Sequence, residues 1–299
     1  MSHNHNHGIG NYNRSFAFGV LLNVIFVIIE AVYGILSGSL SLLADAGHNL
    51  SDVISLLLAW GASVIATKAA TDRRTYGFRK VTIFAPIISA VILIITLTGI
   101  TWEAINRFFH PQPIKGITII IVAAVGVVVN TLTALMFIKG QKHDLNIRGA
   151  FLHMAADAGV SLGVVIAGLI IMIKGWLWID PVLSLIIVSV ILFGIKGLLR
   201  DSIHYAIDGV PNGIDISEVK KYLMGRDHVL SIHDLHIWPL STTETALTVH
   251  LIMDTEQLDN NFLSNLQIQL HDRFGIEHST IQVEANSEEN NCLLKKDSN

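Results

Sequence analysis

Six apolar runs occupy the N-terminal two thirds of the chain, separated by short polar stretches. Their approximate bounds are Phe16–Leu36, Ser39–Ala66, Val81–Ile105, Gly116–Ile138, Ile147–Ile173 and Trp176–Leu199. Each is near the ~20 residues that a helix needs to cross a bilayer. The break at Gly38 is so short that the first two helices must form an antiparallel hairpin. The second run is longer than a bilayer requires, so its first part, Ser39–Ala46, tilts or begins outside the hydrocarbon. From Gly209 the pattern changes. Gly209-Val-Pro-Asn-Gly213 is a breaker, charge rises and the apolar runs shorten. The order predicted there is helix (Asp215–Gly225), strand (Val229–Trp238), strand (Glu244–Met253), helix (Leu258–Phe274) and strand (Ser279–Glu284). In the second strand Leu247, Val249 and Leu251 alternate with Ala246, Thr248 and His250, which is the period of a pleated strand. An αββαβ order predicts a small two-layer α+β domain with helices on one face of a sheet. The predicted organisation is a mobile, histidine-containing tail (1–15), a six-helix transmembrane domain (16–208), a cytosolic metal-binding domain (209–285) and a disordered polar tail (286–299).

Composition agrees with a membrane protein. Of 299 residues, 51% are hydrophobic and only 15% charged, against about 25% charged in soluble domains. The one cysteine, Cys292, excludes an internal disulfide framework and any Cys-x-x-Cys metal or redox motif. The N-terminus lacks the pattern of a cleavable signal peptide, so the first helix is expected to insert as its own anchor. Lysine and arginine cluster on one side of the predicted spans: Arg14, the 68–80 segment, the 139–148 segment, Lys196 and Arg200. The other side carries only Arg107, Lys115 and Lys174. The richer side is expected to be cytoplasmic. An even helix count puts both termini there, with the C-terminal domain. Nothing in the sequence calls for nucleic acid.

The polar residues inside the apolar runs change the picture most. His48-x-x-x-Asp52 and His153-x-x-x-Asp157 are two copies of one motif in separate spans. Residues i and i+4 share a helix face, so each motif points an imidazole and a carboxylate the same way. Two such helices together offer two N and two O ligands, a tetrahedral shell suited to Zn²⁺ with no position left open. A carboxylate in mid-bilayer costs about 2.5–3.5 kcal/mol on insertion scales, so such residues line a cavity, pair, or hold an ion. The plain alternative is a pair of helix-packing hydrogen bonds. Glu30 in the first run is read either as a residue of a proton path or site support, or as a partner for a neighbouring helix. Asn23 and Asn130 also lie within runs. Asp180, before Pro181, is read as a cap or mouth residue. His3, His5 and His7 are read as weak metal ligands, a solvated tail or a cloning remnant. The C-terminal domain carries His228, His233, His236, His250, His271 and His278 beside Asp234 and Glu284. His233 and His250 fall on adjacent predicted strands.

The stretch from Ser37 to Asp52, Ser-Gly-Ser-Leu-Ser-Leu-Leu-Ala-Asp-Ala-Gly-His-Asn-Leu-Ser-Asp, resembles the signature of the cation diffusion facilitator family, at the first hairpin and second helix. Phe151-Leu-His-Met-Ala-Ala-Asp-Ala-Gly-Val-Ser161 resembles that family's fifth helix. Thr75-Tyr-Gly-Phe-Arg-Lys80, Ile179-Asp-Pro-Val-Leu-Ser184, His233-Asp-Leu-His-Ile-Trp238 and Leu247-Thr-Val-His250 are similar to further segments in the same order. The resemblance spans nearly the whole chain. It implies a homodimeric secondary transporter, not an enzyme, that exports divalent metal in exchange for protons. The implied ligands are His48, Asp52, His153 and Asp157, and histidine in the helix 2 motif implies a zinc preference, with cadmium, cobalt or nickel as secondary substrates. It also implies a ferredoxin-like cytosolic domain that binds zinc at a dimer interface, with His233, His250 and Glu284 as the matching residues. Three departures stand out. The family's histidine-rich loop between helices 4 and 5 is only Lys139-Gly-Gln-Lys-His-Asp144. Asp72-Arg-Arg-Thr75 puts arginine where some members have a metal-ligating histidine. Gln282 stands where some place a histidine, which favours one cytosolic metal over two.

The motif chemistry supports exchange by itself. A ligand must be deprotonated to bind metal, so metal and proton compete for the same atoms, and histidine titrates near 6.5 in model peptides. Zinc entering from the cytoplasm would displace protons, and rocking about a midplane site would then open it outward. Two other classes remain open on the residues alone. An intramembrane zinc hydrolase needs an activated water and a general base, and the chain has no His-Glu-x-x-His. A histidine proton relay in a channel would conduct without metal. The compact loops point to a bacterial inner membrane, with a eukaryotic organelle as the alternative.

Overall fold

The computed structural model describes residues 12–137, 145–254 and 260–285. The predicted N-terminal tail (apart from its last residues), the Lys139–Asp144 loop and the polar tail from Asn286 lie outside the described residues. The chain divides into two compact units. One comprises Met1–Leu57 and Ser89–Lys196, the other Leu58–Ile88 and Gly197–Asn299.

Six long helices form from the six apolar runs: α1 (Tyr12–Ser37), α2 (Leu40–Ala66), α3 (Val81–Phe109), α4 (Gly116–Phe137), α5 (Leu145–Lys174) and α6 (Ile179–Ala206). The segments Leu40–Ala66, Val81–Phe109, Gly116–Leu135, Phe151–Lys174 and Ile179–Ala206 are each long and apolar enough to cross a membrane, and Val24–Ser37 is a shorter apolar stretch of α1. The chain is therefore a multi-pass membrane protein. Its outward side chains fit that solvent, since Ile28, Ile35, Trp102, Ile173 and Phe193 are all largely exposed and lipid is as apolar as they are. α6 runs seven residues past its predicted end at Leu199. Lys196, Arg200 and Asp201 end the hydrophobic signal there, but nothing breaks the backbone before Gly209 and Pro211.

Inside the first unit, Leu42, Leu97, Ile119, Val164 and Ile187 bring α2, α3, α4, α5 and α6 into one core. The α1–α2 hairpin turns on Gly38, which adopts φ +70°, a conformation that disfavours any side chain. α4 and α5 approach closely through glycines. A Cβ on Gly116 would lie 3.2 Å from the Gly168 carbonyl oxygen, and one on Gly168 would lie 2.8 Å from Ile120. Small residues at such a crossing replace hydrophobic driving force with close packing.

The second unit contains the α+β domain: α7 (Ile216–Met224), β1 (Val229–Pro239), β2 (Thr245–Met253), α8 (Asn260–Phe274) and β3 (His278–Ala285). The Asp215 side chain caps α7 by accepting a hydrogen bond from the Ser217 amide at 2.8 Å. The sheet order is β1-β2-β3. β1 and β2 are an antiparallel pair, whereas β2 and β3 run parallel, so a crossover through α8 must join them. Val219, Leu223, Leu247, Val249, Leu251 and Leu270 build the core under the helices. The predicted alternation in β2 is only half visible, because Ala246 and His250 are buried as well as Leu247, Val249 and Leu251. β2 is the central strand, and both of its faces are largely covered.

One irregularity decides which side chains share a face. The β1–β2 register shifts between His233 and His236: His233 pairs with His250, and His236 pairs with Thr248. Two residues of β1 therefore oppose one of β2, and Asp234 within the bulge has φ +50°. The extra residue places His233 and His236 on the same face, the one opposite the core.

Candidate metal centres

The structure brings the four residues of the two His-x-x-x-Asp motifs together. One ligand atom from each of His48, Asp52, His153 and Asp157 lies within 4.8 Å of all the others. His48 and Asp52 come from the middle of α2, and His153 and Asp157 from α5. His153 Nε2 lies 3.0 Å from Asp52 Oδ2 and 3.6 Å from Asp157 Oδ2. His48 Nε2 lies 3.3 Å from Asp157 Oδ1 and 3.9 Å from Asp52 Oδ2. The imidazole rings meet edge to face, with centroids 5.8 Å apart. Exposure is uneven: the Asp157 side chain is 3% exposed and that of His153 43%, so the cluster opens on the His153 side. Asp157 Oδ2 and His48 Nδ1 are buried without a hydrogen-bond partner. Two imidazoles and two carboxylates at this separation are the donor set of a closed zinc-type shell. With hydrogen bonds alone, the cluster leaves buried acceptor capacity unmet.

Sequence reasoning singled out Glu30 but passed over its neighbours. Glu30 accepts a hydrogen bond from Asn49 Nδ2 at 3.2 Å. Asp45, buried to zero exposure, accepts from Ser161 Oγ at 2.9 Å. Asp45 lies one helical turn before His48, a spacing that would have placed it beside the motif.

Asp180 is a cap, but not for its own helix. It sits in the first turn of α6, and its carboxylate accepts from the Leu40 amide at 2.7 Å, the Ser41 amide at 3.1 Å, Ser39 Oγ at 2.7 Å and Ser41 Oγ at 2.5 Å. These amides are the orphan donors at the N-terminus of α2. Arg107 approaches the same carboxylate at 4.0 Å and donates to the Gly38 carbonyl. The helix that carries His48 and Asp52 is thus pinned at its start by α6 and α3.

A second cluster lies on the face of the sheet opposite the helices. Ligand atoms of His233 (β1), His250 (β2) and Glu284 (β3) are within 4.8 Å of one another. Glu284 Oε1 is 2.8 Å from His250 Nδ1 and 3.6 Å from His233 Nε2. Gln282 Nε2 donates to the same Glu284 oxygen at 3.1 Å. Both ring nitrogens of His233 are buried without a partner, a state that a metal ion or water would relieve. Asp234 in the bulge reaches His236 at 2.9 Å and His250 at 3.7 Å. His228 pairs instead with Asp254 at 2.8 Å, and His271 with Asp272 at 3.0 Å.

Membrane-crossing helices with a His₂Asp₂ cluster, and an α+β domain with its own His₂Glu cluster, define a multi-pass membrane protein with two groups of side chains that could hold a metal ion. Comparison with known proteins gives the family. Residues 17–205 match the cation efflux transmembrane domain and residues 211–286 the cation efflux protein cytoplasmic domain. A Bacillus velezensis protein named "Cadmium, cobalt and zinc/H(+)-K(+) antiporter" is 36% identical, covering 99% of this chain and 96% of that protein. The zinc transporter ZitB of Escherichia coli is 34% identical, over 95% of this chain and 93% of its own. A solved structure, the metal-bound C-terminal domain of the CzcD transporter from Cuprividus metallidurans, is 41% identical over 24% of this chain and 99% of that one, with a TM-score of 0.22. The chain belongs to the cation efflux family.

Proposed function

We propose that the protein exports divalent metal ions, zinc in preference, in exchange for protons, by alternating access around His48, Asp52, His153 and Asp157. The observation that carries this reading is the meeting of the four ligand atoms within 4.8 Å on two membrane helices. The two carboxylates offset the double charge of the cargo, which lowers the cost of holding it at depth. Two imidazoles near neutral pH make the same site sensitive to protons. Nitrogen-containing tetrahedral ligation disfavours Mg²⁺, which demands octahedral oxygen. The names of the relatives, a zinc transporter and a cadmium, cobalt and zinc antiporter, support the cargo class.

The same reading extends to the rest of the chain. The protein acts as a transporter rather than an enzyme. It works as a homodimer in a cell's inner membrane, with both termini and the C-terminal domain in the cytoplasm. The transport domain spans residues 16–208 and the cytosolic domain residues 209–285. His233, His250 and Glu284 hold a structural or regulatory zinc ion, which would supply positive charge to a face where His233 now has two unpartnered nitrogens.

The test is zinc flux into proteoliposomes under an imposed pH gradient, comparing wild type with Asp157→Ala. Accumulation that disappears in the variant supports the four-ligand exchange site. Proton leakage without zinc dependence would overturn it in favour of a channel.

A further inference from the structure

Glu30 on α1 and Asp45 on α2 are both buried to zero exposure. Asn49, one helical turn after Asp45 on α2, donates to Glu30 at 3.2 Å, which draws the two acids into one buried cluster. Among the described residues neither has a lysine or arginine partner, and each receives one protein donor, Asn49 Nδ2 for Glu30 and Ser161 Oγ for Asp45. Three oxygens of the cluster, Glu30 Oε1, Asp45 Oδ1 and Asn49 Oδ1, are buried with no donor. Asn49 is 1% exposed, its nitrogen is held by Glu30, and its oxygen is buried without a donor.

Two buried carboxyl groups in one cluster, with a single protein donor each and no lysine or arginine beside them among the described residues, are unfavourable unless something positive lies between them. The donor set contains oxygen only, which is poor chemistry for zinc and good chemistry for a proton or a hard alkali cation. None of these residues is among the four ligands of the metal cluster. Among the described residues, His48 on α2 and Asp157 on α5 are the ionisable groups outside the pair whose charge bears on it. α4 contributes no ionisable residue.

We propose that Glu30 and Asp45 form a counter-cation site, separate from the four-ligand metal site, in which one monovalent cation is shared between the two carboxyl groups. The proposal rests on the exchange reading and gives its counter-ion a place. A divalent ion arriving beside Asp157 raises the local positive potential and drives the monovalent cation off the pair, and return of that cation drives the metal off. Such coupling between two sites is reciprocal. A proton and an alkali cation such as K⁺ share this chemistry.

Glu30→Gln and Asp45→Asn each remove a charge with little change of shape, and the full-length protein in proteoliposomes tests them. Zinc binding by the purified variants should stay within about threefold of wild type, and downhill zinc equilibration should continue. Accumulation of zinc against its own gradient should fall at least about tenfold. A pH gradient at equal K⁺, and a K⁺ gradient at equal pH, imposed separately on wild type, identify which cation the pair carries. Coupled accumulation retained in both variants overturns the assignment. So does a loss of zinc binding in parallel with accumulation, which would put the acids in the metal site or in folding. Wild type that moves no zinc under either gradient overturns the exchange reading itself, a different and recognisable outcome.

Discussion

Asp52 lies closer to the histidine of the other helix than to the one on its own: 3.0 Å to His153 Nε2 against 3.9 Å to His48 Nε2. Asp157 repeats the arrangement, 3.3 Å to His48 and 3.6 Å to His153. Helical spacing supplies each His/Asp pair, but packing exchanges the partners. The four side chains therefore act as one unit. Asp52→Ala and Asp157→Ala should each weaken zinc binding about a hundredfold or more, since even indirect supporting groups cost 10–100-fold. The double variant should lose less than the sum. Isothermal titration of the purified protein measures both.

Acid should release the metal. Both imidazoles must be deprotonated to ligate, so protons bind the empty site better than the loaded one. Each histidine that must lose a proton to ligate weakens zinc affinity by up to about tenfold per pH unit on acidification, so affinity should fall steeply between about pH 7.5 and 5.5. Zinc affinity that does not change across this range would show that the histidines are not ligands.

Asp180→Ala should destabilise the protein without touching the metal cluster. It leaves two α2 amides and two serine hydroxyls without their acceptor. Loss of a helix cap costs about 1–2 kcal/mol, and 2 kcal/mol in a chain this large lowers the melting temperature by about 4–8 °C. Thermal unfolding in detergent should show this drop, and Asp180→Asn, which retains one acceptor oxygen, should fall in between.

In the C-terminal domain, His233→Ala or Glu284→Gln should reduce bound zinc from about two to about one per chain after gel filtration, because three donors are the fewest that hold zinc firmly. Elemental analysis gives the count. Asp157→Ala should remove the other ion, and the combined variant should retain none.

The helices and the two motifs were legible in the sequence for one reason: both are periodic. Apolar runs near 20 residues announce spans, and His/Asp at i and i+4 announce a shared face. What depends on partners distant in sequence was not legible. Asp180 reads as the start of α6, yet it serves an α2 terminus 140 residues earlier in the chain. Asp45 reads as part of a signature stretch, and only the fold shows how few donors it meets. The bulge at Asp234 adds a residue to β1 that strict alternation cannot anticipate, so the shared face of His233 and His236 was hidden. α6 outran its hydrophobic signal because polar residues end such a signal without ending a helix.

Asp180 and Asp45 are both buried to zero exposure, but they are served very differently. Among the described residues, four donors surround the Asp180 carboxylate, and a single hydroxyl reaches Asp45. An ion passing through the bundle would gain little at Asp180, because it would have to strip away bonds already made. At Asp45 it would find attraction left over. Burial alone does not chart the route, then. The protein's own amides and hydroxyls do, by satisfying some acids and leaving others hungry.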